Sequence, residues 1–244
     1  MHELAGNARL PRESPDRTPA LTTDASSSAE GAQPGTAGLG LRAQLKLDTR
    51  DLYRQAQHSG IMQMVLQGRI DRVSYCVLLR NLHEIYASLE TALETHFNHP
   101  QLEPILFRAL FRLGHLEDDL GYLHGSGWSQ DLAVKPAAAA YRARLFELSD
   151  GQPGLLAAHA YVRYLGDLSD GQIVYRLVAE QLRLGEAGTG FYQFGSTEDI
   201  DLLVAQFRAG LDAIPAGPAH TEAIVAEAQQ AYRWHIELFE QLAG

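Results

Sequence analysis

The sequence holds a single cysteine, Cys76, among 244 residues. One thiol excludes any intrachain disulfide, and nothing points to an oxidising, secreted setting. No apolar run approaches the eighteen or so residues that a membrane-spanning helix needs, so no membrane span is predicted. Positive charge is also scarce. Lys and Arg number 20 against 30 Asp and Glu, a formal net charge of -10. An acidic surface argues against broad binding to a phosphate backbone. The expectation is a soluble, cytoplasmic chain with no nucleic-acid and no membrane partner. Cys76 lies in the run Tyr75-Cys76-Val77-Leu78-Leu79, where a small buried hydrophobe is expected rather than a reactive thiol.

Large apolar residues are nearly missing from Thr22 to Gly40, which is rich in Ser, Ala, Gly, Thr and Pro. Such a stretch buries too little surface to offset the entropy of ordering, and residues 1–40 are predicted to form a disordered tail. The tail has no apolar h-region, and Glu3, Glu13, Asp16, Asp24 and Glu30 make it a poor transit peptide. Residues 41–244 read as one domain, since 45% of the chain is hydrophobic and the length suits a single core. Apolar residues recur there at spacings of three and four, the helical period. Helices are predicted over about 45–59, 72–97 and 101–124, then a short one after Pro136. A longer one runs from Pro153 to about Leu184, and two more cover about 198–213 and 219–242. No strand pattern and no repeat is found. The predicted class is all-α, a compact bundle of about eight helices.

The most informative segment runs from His159 to Gln172, His-Ala-Tyr-Val-Arg-Tyr-Leu-Gly-Asp-Leu-Ser-Asp-Gly-Gln. Gly166 and Gly171 interrupt a strong helical pattern, each costing about 1 kcal/mol relative to alanine. That cost implies a bend, or another group lying close to the backbone, as a flat aromatic ligand would. Asp167 lies one turn after Arg163; taken alone, the pair is either functional or a surface ion pair. On the first predicted helix, Lys46, Arg50 and Tyr53 are spaced i, i+4 and i+7, so they share a face. That face suits a dianionic ligand, or is simply a solvated one.

These residues, in the order His-Ala-Tyr-x-Arg-Tyr-Leu-Gly-Asp-Leu-Ser-x-Gly-Gln, resemble the distal-helix signature of the haem oxygenases, in which a glycine-rich helix lies over the haem. The resemblance covers most of residues 45–242. It takes in Leu45-Lys46, the stretch Leu82 to Glu90, Leu116 to Leu120 and the closing Ile236 to Leu242. It implies an enzyme that opens haem at one meso carbon with dioxygen and electrons, giving biliverdin, carbon monoxide and ferrous iron. Haem is then both cofactor and substrate, and the protein supplies orientation and hydrogen bonds. An electron donor such as a ferredoxin or a flavoprotein reductase is implied too. On the matching positions, Asp167 would organise distal water, with Arg163 and Tyr86 in the same polar network. Gly166 would let the backbone meet the porphyrin face, with Gly171 further along the same motif. Lys46, Arg50, Arg208 and Tyr161 would lie at the propionates.

Four positions depart from the family pattern. The iron-ligating histidine of the first helix is replaced by Tyr53, the candidate metal ligand here, since tyrosinate ligates haem iron in other proteins. Gln57, one turn later, stands where the family often has glutamate, and its amide could donate to a phenolate oxygen. The same pair is consistent with a pocket that has lost its ligand. His58 is the nearest histidine, about 140° around an ideal helix from Tyr53, and His235 is another candidate. His83 and His159 read as satisfied core histidines, and His96 and His99 as solvated near a helix end. Asp170 stands where the family usually has glycine and would put a carboxylate near the haem. Val204 stands where a propionate-binding lysine is expected. A non-enzymatic haem carrier or sensor on the same scaffold is the alternative function. A non-haem di-iron centre is a third reading, but it needs Glu-x-x-His spacings that the sequence lacks.

Overall fold

The computed structural model describes residues 39–244. The helices are α1 (Leu41–Asp48), α2 (Arg50–Gln57), α3 (Gly60–Leu66), α4 (Arg72–Thr95), α5 (Leu113–Leu123), α6 (Trp128–Asp131), α7 (Pro136–Gly151), α8 (Leu156–Ser169), α9 (Gly171–Leu182), α10 (Thr197–Ala213) and α11 (Pro218–Ala243). Short 3₁₀ turns lie between some of them, and no strand occurs among the described residues. The all-α reading therefore stands. All but the last two residues of the predicted tail, 1–40, lie outside the described residues.

Local chemistry sets the helix ends. Asp71 accepts a hydrogen bond from Ser74 N at 2.7 Å to start α4, and Ser196 with Asp199 forms a capping box on α10. Prolines take the first turns of α7 and α11, where a missing N–H costs nothing. Two predicted helices are divided, one is shortened, and the short helices α3 and α6 lie outside the predicted spans, so the described residues hold eleven helices rather than about eight. The helix expected over 45–59 divides at Thr49, whose hydroxyl donates back to Leu45 O at 2.7 Å and competes with the helical ladder. The one expected over 101–124 begins only at Leu113, because Pro104 confines the preceding chain to 3₁₀ turns at Glu103–Ile105 and Arg108–Leu110. The one expected from Pro153 to about Leu184 divides at Asp170, after Ser169 Oγ back-bonds to Leu165 O at 2.5 Å.

The core is built on the two longest helices. α4 packs against α5 and α7, and α11 packs against α8, α7, α2 and α3. The α2–α3 turn needs glycine. Gly60 has φ +44°, and a Cβ there would sit 1.9 Å from Phe239 O of α11. This contact fixes α2 and α3 on the end of α11. α2 packs on α11, α1 and α3, and towards α8 and α9 it faces a cleft.

Candidate functional site

The cleft has apolar walls and a volume of about 110 Å³. Ala56 of α2 and Met62 of α3 face Gly166 and Gly171 of α8 and α9. Leu78 and Leu82 of α4 and Phe239 of α11 close its other sides. A second cavity of about 460 Å³ adjoins it and shares Tyr53, Gly166 and Tyr232 as lining. Its chemistry is opposite. Arg42, Lys46, Arg50, Arg54 and Arg208 converge on it, with Thr49 and Tyr161. Arg42 is paired to Asp212 at 2.7 Å and Arg50 to Asp51 at 3.1 Å. Lys46 and Arg208 form no ion pair among the described residues. An apolar slot thus opens into a basic mouth in a chain whose net charge is -10.

Gly166 sits where the two cavities meet. A Cβ added there finds no atom within 4 Å, so the glycine makes room for no other part of the protein. It keeps the cavity wall flat. Gly171 differs: its Cβ would lie 3.4 Å from the Tyr192 ring, so it lets α9 approach the aromatic turn after α9.

A buried polar network borders the apolar cleft. Arg163 Nη2 donates to Asp167 Oδ1 at 3.0 Å and Arg163 Nε donates to Tyr86 OH at 2.9 Å. Tyr86 OH donates to Asp167 Oδ2. Arg163 Nη1 donates to His235 Nε2 at 2.8 Å, while His235 Nδ1 donates to Ala231 O at 2.8 Å. Both nitrogens of His235 are therefore used, and it holds Arg163. Burial pushes the Asp167 carboxyl up against the pull of Arg163. Burial, reinforced by the Arg163 charge, holds His235 well below the usual imidazole range. The Arg163–Asp167 pair is buried at both ends, which rules out the surface-pair reading. The three residues expected to form one network do so.

Tyr53, Gln57 and Asp170 also meet. Tyr53 OH donates to Asp170 Oδ2, and Gln57 Nε2 donates to the same oxygen at 2.6 Å. Burial and then the Asp170 hydrogen bond raise the Tyr53 phenol above its ordinary range. Gln57 therefore donates to a carboxylate, and Tyr53 is a neutral phenol.

The remaining histidines stand outside the site. His58 is exposed at the end of α2, with Nδ1 against Arg54 O at 2.9 Å. His83 contacts Glu117 at 3.3 Å and the Trp128 ring. His159 is fully buried, bonded to Tyr141 OH at 2.9 Å and Glu227 Oε1 at 3.1 Å, as a satisfied core histidine should be. His96 contacts Ser149 Oγ at 3.1 Å. Val204 of α10 is half-buried against the hydrophobic core. Among the described residues, no three His, Cys, Asp or Glu gather as a metal-binding group, and no helix is long and apolar enough to cross a membrane. Arg42 and Arg54 went unmarked in the sequence, although both share the α1–α2 basic pattern of Lys46 and Arg50. Met62, Phe191, Tyr192, Tyr232 and Phe239 gave no local signal as cavity lining.

A family model described as "Heme oxygenase" matches residues 39–241. The chain belongs to the haem oxygenase family. Heme oxygenase 1 of Nostoc is 35% identical over 205 residues, 84% of this chain and 86% of that one. Human heme oxygenase 1 is 32% identical over 216 residues, 87% of this chain and 75% of that one. A crystal structure of heme oxygenase-2 from Synechocystis with heme and NO has a TM-score of 0.80 at 33% identity, covering 84% of this chain and 85% of that one. The heme oxygenase of Leptospira interrogans has a TM-score of 0.79 at 32% identity, covering 83% and 100%. The residues fit the group that the family name implies. A haem is a flat apolar ring with two carboxylates on one edge. The flat wall at Gly166 and the apolar cleft suit the ring, and the adjoining mouth offers Lys46 and Arg208 free for the carboxylates.

Proposed function

We propose that this chain cleaves haem oxidatively to biliverdin, carbon monoxide and ferrous iron. The observation that carries the reading is the buried Arg163–Asp167–Tyr86 network on the wall of an apolar cleft that opens into a basic mouth. When bound, haem supplies the iron at which dioxygen is activated and the ring that is opened. The chain does the rest. Lys46, Arg50, Arg208 and Tyr161 take the propionates and so fix the rotation of the ring. The apolar walls exclude bulk water. Arg163 and Tyr86 hold the Asp167 carboxylate from both sides, which leaves its free lone pairs to orient one water in the cleft. That water would hold a proton at a fixed place beside Asp167 in the cleft. A network of this kind keeps its geometry only while every member is satisfied, and His235 satisfies the last face of Arg163.

Tyr53 is the residue through which the chain would hold iron. It lines both cavities, and it must lose its proton and leave Asp170 to act as an anionic oxygen ligand. A ferredoxin or a flavoprotein reductase is the donor class that fits the required electrons, and a cytoplasmic setting fits both.

One observation favours a second reading. Tyr53 is protonated and tied to Asp170, and an anionic oxygen ligand favours ferric iron, so a haem carrier on this scaffold is the alternative. Aerobic spectroscopy of haem-loaded protein with a ferredoxin reducing system separates them. Decay of the Soret band with growth of a biliverdin band is the expected result. Stable haem under those conditions selects the carrier.

A further inference from the structure

Three of the four positions expected to depart from the family pattern, Tyr53, Gln57 and Asp170, are in one place. They bridge the cleft. α2 packs on α11, α1 and α3; apart from Thr49 at its N-cap, whose hydroxyl meets Tyr161 of α8 at 3.4 Å, the hydrogen bonds to Asp170 are the only ones among the described residues that run from α2 to α8, α9 or their junction. Both end on one oxygen, Asp170 Oδ2. Asp170 forms no ion pair among the described residues, so these two donors are what its charge has to meet. Tyr53 also stands on the boundary between the apolar cleft and the basic mouth, opposite Gly166. A ligand with its ring in one cavity and its carboxylates in the other must occupy the gap that these bonds cross.

We propose that Asp170 governs admission to the cleft: its carboxylate ties α2 to the α8–α9 junction, and a porphyrin spanning both cavities enters only when that tie opens. This rests on the reading of the cleft as a haem site. The tie acts on entry in two ways. It lowers the fraction of molecules ready to accept the ligand, and the observed association falls by that fraction. It also keeps the Tyr53 hydroxyl engaged until the ring displaces it. Two hydrogen bonds to a charged acceptor are together worth a factor of about ten to a hundred when one end is half-exposed.

The test is the rate of porphyrin uptake by the full chain, followed by stopped-flow absorbance with two probes. Haem reports entry plus iron ligation. Metal-free protoporphyrin IX has the same ring and carboxylates but no iron for Tyr53 to hold, so it reports entry alone. Asp170→Ala should take up both probes about ten to a hundred times faster than the parent. Gln57→Leu should speed both by less. Asp170→Asn keeps an acceptor oxygen and should fall between Asp170→Ala and the parent. Adding Tyr53→Phe to Asp170→Ala should give no further gain with protoporphyrin IX, because both changes cut the same tie. Should Asp170→Ala lose its helical circular dichroism, Gln57→Leu and Asp170→Asn carry the comparison. Uptake of either porphyrin at equal rates in the parent and the released variants overturns the proposal and leaves the haem site intact. No uptake by any of them overturns the haem reading, and this inference with it.

Discussion

Gly166→Ala separates fold from function with opposite signs. The residue lies in the interior of α8, and an ideal Cβ there meets nothing within 4 Å. For the ligand-free protein the change is therefore a plain helical Gly-to-Ala replacement, which stabilises by about 0.5–1 kcal/mol. For a domain of this size that is a rise of roughly 2–4 °C in Tm per kcal/mol. The same methyl stands on the wall common to both cavities, where the ring is expected to lie flat. Forcing one extra carbon into a filled contact costs about 1–3 kcal/mol, or roughly five- to 150-fold in haem affinity. The assays are thermal melting without ligand and haem titration on the same samples. Higher Tm with weaker haem binding is the predicted pair. Unchanged haem affinity would show that no ligand packs on Gly166. A lower Tm would show that the glycine serves the protein interior instead.

Other perturbations follow from the same geometry. Asp167→Asn keeps the shape of the side chain but removes the charge that faces Arg163, so haem should still bind while turnover falls on the order of a hundredfold, measured as biliverdin formed per haem. Lys46→Ala and Arg208→Ala should each weaken haem binding about three- to tenfold at low salt and by less at high salt, since both cations are exposed and screened. Glu227, bonded to His159 and Arg144, is held down to about 2 despite its burial. Its folded value lies below the unfolded one, so its contribution is full above about pH 4.5 and is lost as pH falls towards 2. Glu227→Gln should cost about 3 kcal/mol at pH 7 and flatten the acid limb of a denaturation series over that window.

The sequence shows the site's polar half better than its apolar half. Asp167, Arg163 and Tyr86 were marked by a motif, and they meet because one helical turn separates the first two and α4 brings up the third. Lys46, Arg50 and Tyr53 share a face although Thr49 breaks the helix between them, because a break that stays near helical backbone angles preserves the direction of side chains. That break was not legible, since Thr is tolerated within helices and only its back-bond to Leu45 ends α1. The shortened α5 was legible, because Pro104 lies inside the predicted helix. Tyr232, His235 and Phe239 come from the last helix, some 180 residues from Tyr53 in sequence. Periodicity puts them on an inward face, but it does not say which inward residues border a cavity. The meeting of Tyr53, Gln57 and Asp170 is of the same kind: each stands out alone, and only the folded chain joins them.

The central claim is that the chain holds haem in one orientation and directs oxygen to its ring. It is tested most directly by the yield of carbon monoxide per haem consumed, with catalase present, under aerobic turnover with a ferredoxin reducing system. One carbon monoxide for each haem lost, together with a single biliverdin isomer, is the predicted result. Loss of haem without carbon monoxide, or no loss at all, would contradict it.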